Sequence, residues 1–133
     1  MKCLVTGGAG FIGSNLVDRL IDEGHEVIIV DDMSTGKKEN INPKATIWVV
    51  DIADVDEDWE EIFDGTEMVF HLAAKARVQP SIDNPVEFDR TNVGGLVNML
   101  NCSRKYGVKR FVYSSSSSVY GDVEIVPTKE DAE

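Results

Sequence analysis

A glycine-rich turn between a short apolar strand and an amphipathic helix is the feature that most restricts how this sequence can fold. Lys2–Thr6 predicts a buried strand, and Gly7-Gly8-Ala9-Gly10-Phe11-Ile12-Gly13 follows it directly. Apolar residues then recur at helical spacing, at positions 12, 16, 17, 20 and 21, until Gly24 ends the pattern. A strand, a glycine turn and a helix in this order are typical of the first unit of a parallel α/β sheet.

Four further apolar runs predict the other strands, over 26–30, 46–50, 67–72 and 109–113. Between them we predict a short acidic helix over 54–64, carrying Val55, Trp59 and Ile62 or Phe63, and a long helix over 86–106. The core-facing stripe of the long helix is expected to be Val93, Leu96, Val97 and Leu100, and Pro80 and Pro85 bracket a loop before it. Alternating strands and helices predict an α/β fold, a Rossmann-type doubly wound parallel sheet of about five strands in the order 3-2-1-4-5.

Each glycine of the turn has a physical reason to be there. Gly7 permits the tight turn, Gly10 lets the backbone approach a pyrophosphate, and Gly13 lets the helix pack close to the strand. The free amides of the helix N-terminus attract phosphate. Asp31 ends the next strand, 18 residues beyond Gly13, where a carboxylate accepts from a ribose 2′-hydroxyl and repels a 2′-phosphate. We therefore expect the chain to bind NAD rather than NADP. The alternative is that the glycine turn holds no ligand.

The charge of the chain limits the classes of partner that it can bind. The chain has 24 acidic and 13 basic residues in 133, a net charge of −11. Nine of the acids lie in residues 51–67, whereas residues 68–121 carry seven bases and three acids. This balance argues against nucleic acid as a partner, because few cations would displace phosphate counterions.

Other classes are also disfavoured by the sequence. Cys3 and Cys102 lie 99 positions apart and match neither a disulfide framework nor a metal site. No apolar run approaches the ~18 residues that span a bilayer. The first strand runs straight into the glycine motif, which leaves no room for a signal peptide. We therefore expect a cytoplasmic protein with no metal and no membrane association.

Six motifs in order carry a family resemblance: the glycine turn with GxxGxxG spacing, DDMSTG (31–36), VVDI (49–52), HLAA (71–74), TNVGG (91–95) and SSSSSVYG (114–121). The chain resembles the extended short-chain dehydrogenase/reductase family, and within it the NAD-dependent nucleotide-sugar epimerases and dehydratases, most closely the 4-epimerases of UDP-sugars. The resemblance implies hydride transfer at the sugar C4 through a 4-keto intermediate. Ser117 and Ser118 stand where dehydratases have an acidic pair, which favours an epimerase.

The resemblance also implies roles for individual residues. The pyrophosphate would be held by Gly7, Gly10, Phe11, Ile12 and Gly13. The adenine end would be held by Asp31, Asp32, Ser34, Thr35, Gly36, Asp51 and Ile52. The nicotinamide side would be bounded by Leu72, Ala73, Ala74, Lys75 and Ser114, and Asn92 would support the cofactor or the catalytic group. Ser116 would be catalytic, hydrogen-bonding the reacting oxygen of the sugar, and His71 would be a packed strand-end histidine.

The family's catalytic tyrosine, followed four residues later by lysine, has no counterpart in these 133 residues. Tyr106, Tyr113 and Tyr120 are followed at that distance by Arg110, Ser117 and Glu124. We therefore expect residues 1–121 to be a partial NAD-binding domain and residues 122–133 an acidic tail. The later strands and the substrate domain would be missing, and the chain alone would be inactive.

The open edge of the fifth strand is then expected to favour a homo-oligomer. Three alternatives to an epimerase remain within the family, namely a nucleotide-sugar 4,6-dehydratase, a decarboxylase or a reductase. A fourth is a non-catalytic NAD-binding module.

Overall fold

Five parallel strands form the centre of the computed structural model, which describes residues 1–54, 57–122 and 127–130. They are β1 (Lys2–Thr6), β2 (Glu26–Asp31), β3 (Thr46–Val49), β4 (Met68–His71) and β5 (Arg110–Tyr113). The sheet order is β3-β2-β1-β4-β5, and every pairing is parallel. The predicted strand order is confirmed. Because β2 and β4 lie on opposite sides of β1, a crevice opens at the carboxyl ends of these strands.

Helices cover both faces of the sheet. They are α1 (Phe11–Asp22), α2 (Glu57–Glu60), α3 (Val78–Asp83), α4 (Pro85–Asp89) and α5 (Leu96–Lys105), with a π-helical segment (Arg90–Gly95) between α4 and α5. The predicted loop between Pro80 and Pro85 is wrong, because α3 occupies it. Pro80 is tolerated at the third position of α3, where its missing amide would have had no partner within the helix. None of the helices in the described ranges is long and apolar enough to span a bilayer.

Two apolar clusters form the core, one on each face of the sheet. Alternate residues of β1 divide between them, with Cys3 and Val5 on the face of α1 and Leu4 on the opposite face. The first cluster packs against Val17 and Leu20 of α1. The second contains Trp59, Ile62, Phe63, Met99 and Cys102. The apolar positions predicted for the acidic helix are therefore buried, apart from Val55, which lies outside the described residues.

The long helix predicted over 86–106 is interrupted, and its buried face was predicted wrongly. The side chains of Val93, Val97 and Leu100 are 53%, 58% and 44% exposed. The side that faces the sheet carries smaller or more flexible residues, which are Thr91, Gly95, Met99, Cys102 and Ser103. The wider π-helical turn and the close approach of Gly95 to the core select this face, and neither is visible in hydrophobic periodicity.

Candidate functional site

The glycine turn between β1 and α1 forms one end of the crevice. Gly7 has a φ of +69°, and its amide donates to the carbonyl of Val30 at 2.8 Å. A Cβ built on Gly13 would lie 2.1 Å from the Gly7 carbonyl oxygen, so α1 can pack this closely only with glycine there. A Cβ on Gly10 would meet only that same oxygen, at 3.2 Å. Little therefore covers the backbone of Gly10 on the side where a Cβ would project.

The N-terminus of α1 carries no side-chain cap. Gly10 is the N-cap residue, no side chain bonds to the first amides, and the first turn has no acidic residue. The side chain of Phe11 is 85% exposed and that of Ile12 is 65% exposed. An uncapped helix N-terminus presents free amides and a positive partial charge, which is the chemistry that binds phosphate oxygens.

Asp31, at the carboxyl end of β2, is buried and holds two loops together. Its Oδ2 accepts from the Ala9 amide at 2.9 Å, and its Oδ1 accepts from the Met33 amide at 2.9 Å. A Cβ on Gly36 would lie 2.8 Å from Oδ1, so glycine is needed for the loop to close over the carboxylate. A carboxylate has about four acceptor positions, so two remain for hydroxyl groups.

The loop after Asp31 is exposed and polar. Asp32 Oδ1 accepts from both the amide and the hydroxyl of Ser34, at 2.8 and 2.6 Å. The Lys37 amide donates to the Ala9 carbonyl at 3.1 Å, which fastens the loop to the glycine turn. The side chains of Lys37 and Lys38 are exposed to solvent.

The crevice contains a cleft lined by most of the residues predicted for the cofactor. These are Gly7, Asp31, Asp32, Ser34, Thr35, Asp51, Ile52, Leu72, Ala73, Ala74 and Lys75. The predicted residues Gly10, Phe11, Ile12, Gly13, Gly36, Asn92, Ser114 and Ser116 are not part of that lining. Val30, Val50 and Thr91 line the cleft but were missed. Each of the three directly precedes a predicted site residue, which is the signal that could have found them.

Thr6 links β1 to the segment that leaves β4. Its hydroxyl oxygen accepts from the amides of Leu72 and Ala73, both at 3.1 Å, and lies 2.9 Å from Nδ1 of His71. Because both lone pairs of the hydroxyl are engaged, its proton is donated to Nδ1, so the imidazole is neutral with its proton on Nε2. Burial lowers the pKa of His71 to about 4. His71 is therefore a structural group at the cleft floor.

The π-helical segment contributes two polar side chains beside the cleft. Asn92 accepts from the Lys75 amide at 2.8 Å and donates to the Lys75 carbonyl at 3.0 Å, so the helical asparagine does have a partner. Thr91 is buried in the cleft wall, and its hydroxyl has no hydrogen-bond partner among the residues that the structure describes. A buried hydroxyl without a partner is costly, and a ligand group in the cleft would satisfy it.

The serine run follows β5 at the same edge of the sheet. The Ser114 amide donates to the His71 carbonyl at 3.0 Å, which places Ser114 next to the end of β4. Ser116 is exposed, and its hydroxyl oxygen accepts from the Ser118 amide at 3.2 Å. A short 3₁₀ turn (Ser117–Tyr120) comes next.

The fold and the cleft together define a Rossmann-type protein with a site suited to a dinucleotide. An uncapped helix N-terminus, an acid at the end of β2 and an unsatisfied buried hydroxyl all fit such a ligand.

The NAD dependent epimerase/dehydratase family matches residues 3–133, and the chain belongs to that family. It is 46% identical over 129 residues to a putative UDP-glucose 4-epimerase of Methanocaldococcus jannaschii, covering 96% of this chain and 42% of the relative. It is 41% identical to UDP-glucuronic acid decarboxylase 1 of Arabidopsis thaliana, covering 98% of this chain and 29% of that protein. The family predicted from the motifs is thus confirmed.

Among solved structures, the UDP-glucose 4-epimerase of Thermotoga maritima with UDP-glucose superposes with a TM-score of 0.89 at 48% identity. That match covers 96% of this chain and 42% of the other. The chain thus spans less than half the length of each of these three proteins.

Proposed function

We propose that this chain is the NAD-binding part of a nucleotide-sugar 4-epimerase similar to UDP-glucose 4-epimerase. The observation that carries the proposal is the cleft at the carboxyl ends of β1, β2 and β4. Eleven of the nineteen residues that the sequence motifs suggested line it. Membership of an NAD-dependent family and similarity to UDP-glucose 4-epimerases support the same function.

Each part of the cleft would hold one part of the dinucleotide. The amides at the start of α1 would bind the pyrophosphate, with Gly10 giving the backbone room to approach. Asp31 and Asp32 would accept from the hydroxyls of the adenine ribose. Asp51 and Ile52 would flank the adenine. The nicotinamide half would lie along residues 72–75, which Thr6 and Asn92 hold in place through backbone amides.

In the intact enzyme, NAD held along this cleft would supply a reversible hydride acceptor for the sugar C4. Ser116 would hydrogen-bond the oxygen at that carbon. The family's tyrosine, with its lysine four residues later, would take the proton of the sugar's C4 hydroxyl. These 133 residues do not contain that pair. We therefore expect this chain to bind NAD without turning over a nucleotide-sugar.

Calorimetric titration with NAD and NADP tests the binding site. The unaltered chain should bind NAD more tightly than NADP. Asp31→Asn should reduce the ratio of the two affinities by about tenfold, because the 2′-phosphate of NADP no longer meets a charged carboxylate. Asp31→Asn is preferred to alanine because it keeps one acceptor oxygen for the loop amides. An unchanged ratio of the two affinities in the folded variant would refute the assignment of Asp31.

A UDP-glucuronic acid decarboxylase is the second candidate, favoured by the 41% identity to the Arabidopsis protein. The two candidates share the cofactor site and differ in substrate. Assays with UDP-galactose and UDP-glucuronic acid on the longest product of the gene would separate them. A product that binds NAD and acts on neither substrate would instead favour a non-catalytic NAD-binding module.

Self-association through the outer edge of β5 is part of the same proposal. In the described part of the chain, β5 pairs only with β4. Val112 and Tyr113 of β5 are partly exposed. An exposed strand edge offers backbone donors and acceptors to a second copy.

A further inference from the structure

The loop that follows β3, residues 51–54, forms one wall of the cleft and is closed by its own hydrogen bonds. Asp51 and Ile52 line the cleft from this loop. Asp51 Oδ1 accepts from the Ala53 amide at 2.9 Å, and the Asp54 amide donates to the Asp51 carbonyl at 3.1 Å. These bonds shape the turn but tie it only to itself. Contacts from other elements must therefore set its position beside the cleft.

Arg90, the first residue of the π-helical segment, binds both acids of this loop. Its Nη1 donates to Asp51 Oδ2 at 2.9 Å, and its Nη2 lies 2.5 Å from Asp54 Oδ2. The bonds to Asp54 and Asp51 raise the pKa of Arg90 further above its usual value, so the guanidinium stays charged. A planar guanidinium that engages two carboxylates fixes their positions and offsets their mutual repulsion.

The next turns of the same helix hold the backbone of the loop. Asn98 Nδ2 donates to the carbonyl of Ile52 at 3.0 Å and to that of Ala53 at 3.3 Å. A Cβ on Gly95 would lie 2.7 Å from the Ile52 side chain, which is buried against this glycine. Arg90, Gly95 and Asn98 therefore form one docking surface for residues 51–54.

We propose that Arg90 is a positioning residue for the adenine end of the cofactor. Arg90 does not line the cleft, whereas Asp51 does, so Arg90 acts on a ligand through Asp51. The inference rests on the proposed function, in which Asp51 and Ile52 flank the adenine. Without the guanidinium, the Asp51 side chain would lose its only ion-pair partner among the described residues. The loop of residues 51–54 would then be held less rigidly beside the adenine.

The test measures the affinity of the full 133-residue chain for NAD and for ADP, which contains only the adenosine half. Arg90→Ala should weaken both by about tenfold, because the loss lies at the adenine end. Arg90→Lys keeps the positive charge but lacks the planar guanidinium that engages both carboxylates, so it should recover only part of the affinity. Arg104→Ala is the matched control, since within the described part of the chain the Arg104 side chain bonds only to Asn101, on the exposed side of α5. It should leave both affinities unchanged.

A double-mutant cycle with Asp51→Asn separates positioning from general destabilisation. If Arg90 acts mainly through Asp51, the loss of NAD affinity in the double variant should be smaller than the product of the two single losses, although the bond from Arg90 to Asp54 is removed as well. NAD affinity within twofold of the original in folded Arg90→Ala would overturn the inference, as would losses that multiply in the double variant. Should Arg90→Ala unfold, Arg90→Gln, which also removes the charge, gives the same comparison. An unaltered chain that binds neither NAD nor ADP would refute the proposed function itself.

Discussion

At the scale of single residues, the Thr6 hydroxyl shows how one polar group can organise the floor of a site. It receives two backbone amides from the segment after β4 and donates to His71. This arrangement requires a neutral imidazole, and burial disfavours the charged form further. Phe111 and Tyr113 pack against the same ring, with centroids 5.8 and 5.7 Å away. The protonation state of His71 is thus coupled to the folded state.

We therefore predict that the chain loses stability as the pH falls from about 6.5 to about 4. The folded-state pKa of His71 is lowered to about 4 from an ordinary value of 6.5. In this window the unfolded chain binds a proton that the folded chain does not, so the stabilisation is complete above the window. The loss could reach roughly 3 kcal/mol. Urea unfolding at pH 7 and pH 4.5 measures it.

The contribution of His71 is isolated by substitution. His71→Gln has no imidazole to titrate, so its stability should depend less on pH across this window than that of the unaltered chain. His25→Gln, a substitution of the other histidine, which lies half-buried just before β2, is the matched variant for comparison. Equal pH dependence in His71→Gln and the unaltered chain would contradict the prediction.

At the scale of elements, the same residue type has opposite roles in two helices. Gly13 lies in the first turn of α1 against the Gly7 carbonyl, whereas Gly94 lies in the π-helical segment with open space where a Cβ would be. The first glycine allows two backbones to approach. The second has no steric reason to be glycine and costs the helix conformational entropy.

Alanine at these two positions should change the free energy of unfolding in opposite directions. Gly13→Ala places a methyl group against backbone, so a loss of roughly 3 kcal/mol or more is expected. Gly94→Ala meets no atom within 4 Å and should gain up to about 1 kcal/mol. Thermal unfolding measures both changes, and each glycine-to-alanine variant is the matched control for the other. A Gly13→Ala variant as stable as the unaltered chain would show that α1 can move away from the turn.

The strands could be predicted closely from the sequence, and the helices less well. β1 was predicted with its observed bounds, and each of the other strands to within one residue at either end, because apolar and β-branched runs are local signals. The prediction of the buried face of the long helix was wrong because Val93 and Val97 are more apolar than the residues that face the sheet. What selects that face is the packing of Gly95 on Ile52, which depends on chain segments far apart in sequence.

At the scale of the whole molecule, the cleft was predictable where its residues follow strands directly. Asp31, Asp51 and Ala73 come just after β-branched or apolar runs, so the parallel topology brings them to one edge. The ties between the loops were not predictable. Arg90 and Thr6 act through contacts that span 39 and 65 positions, and no local pattern marks either one.

The exposed edge of β5 leads to a prediction for the assembly. We expect the unaltered chain to sediment with a mass that rises with concentration. Val112→Lys, which places a charge on this strand, should reduce that rise. Val78→Lys is the control, because Val78 is an exposed valine of α3 that lies outside the sheet. A single monomeric species at every concentration, or an equal effect of both lysines, would count against association through β5.

The two amides bound by Asp31 have a consequence for how this scaffold could evolve or be redesigned. A substitution that removes the carboxylate to admit a phosphorylated ribose also releases the amides of Ala9 and Met33, so it damages the turn that must hold the new ligand. A larger change of coenzyme preference, in which the side chain at position 31 keeps no acceptor oxygen, would therefore need a companion substitution that supplies a neutral acceptor to those amides.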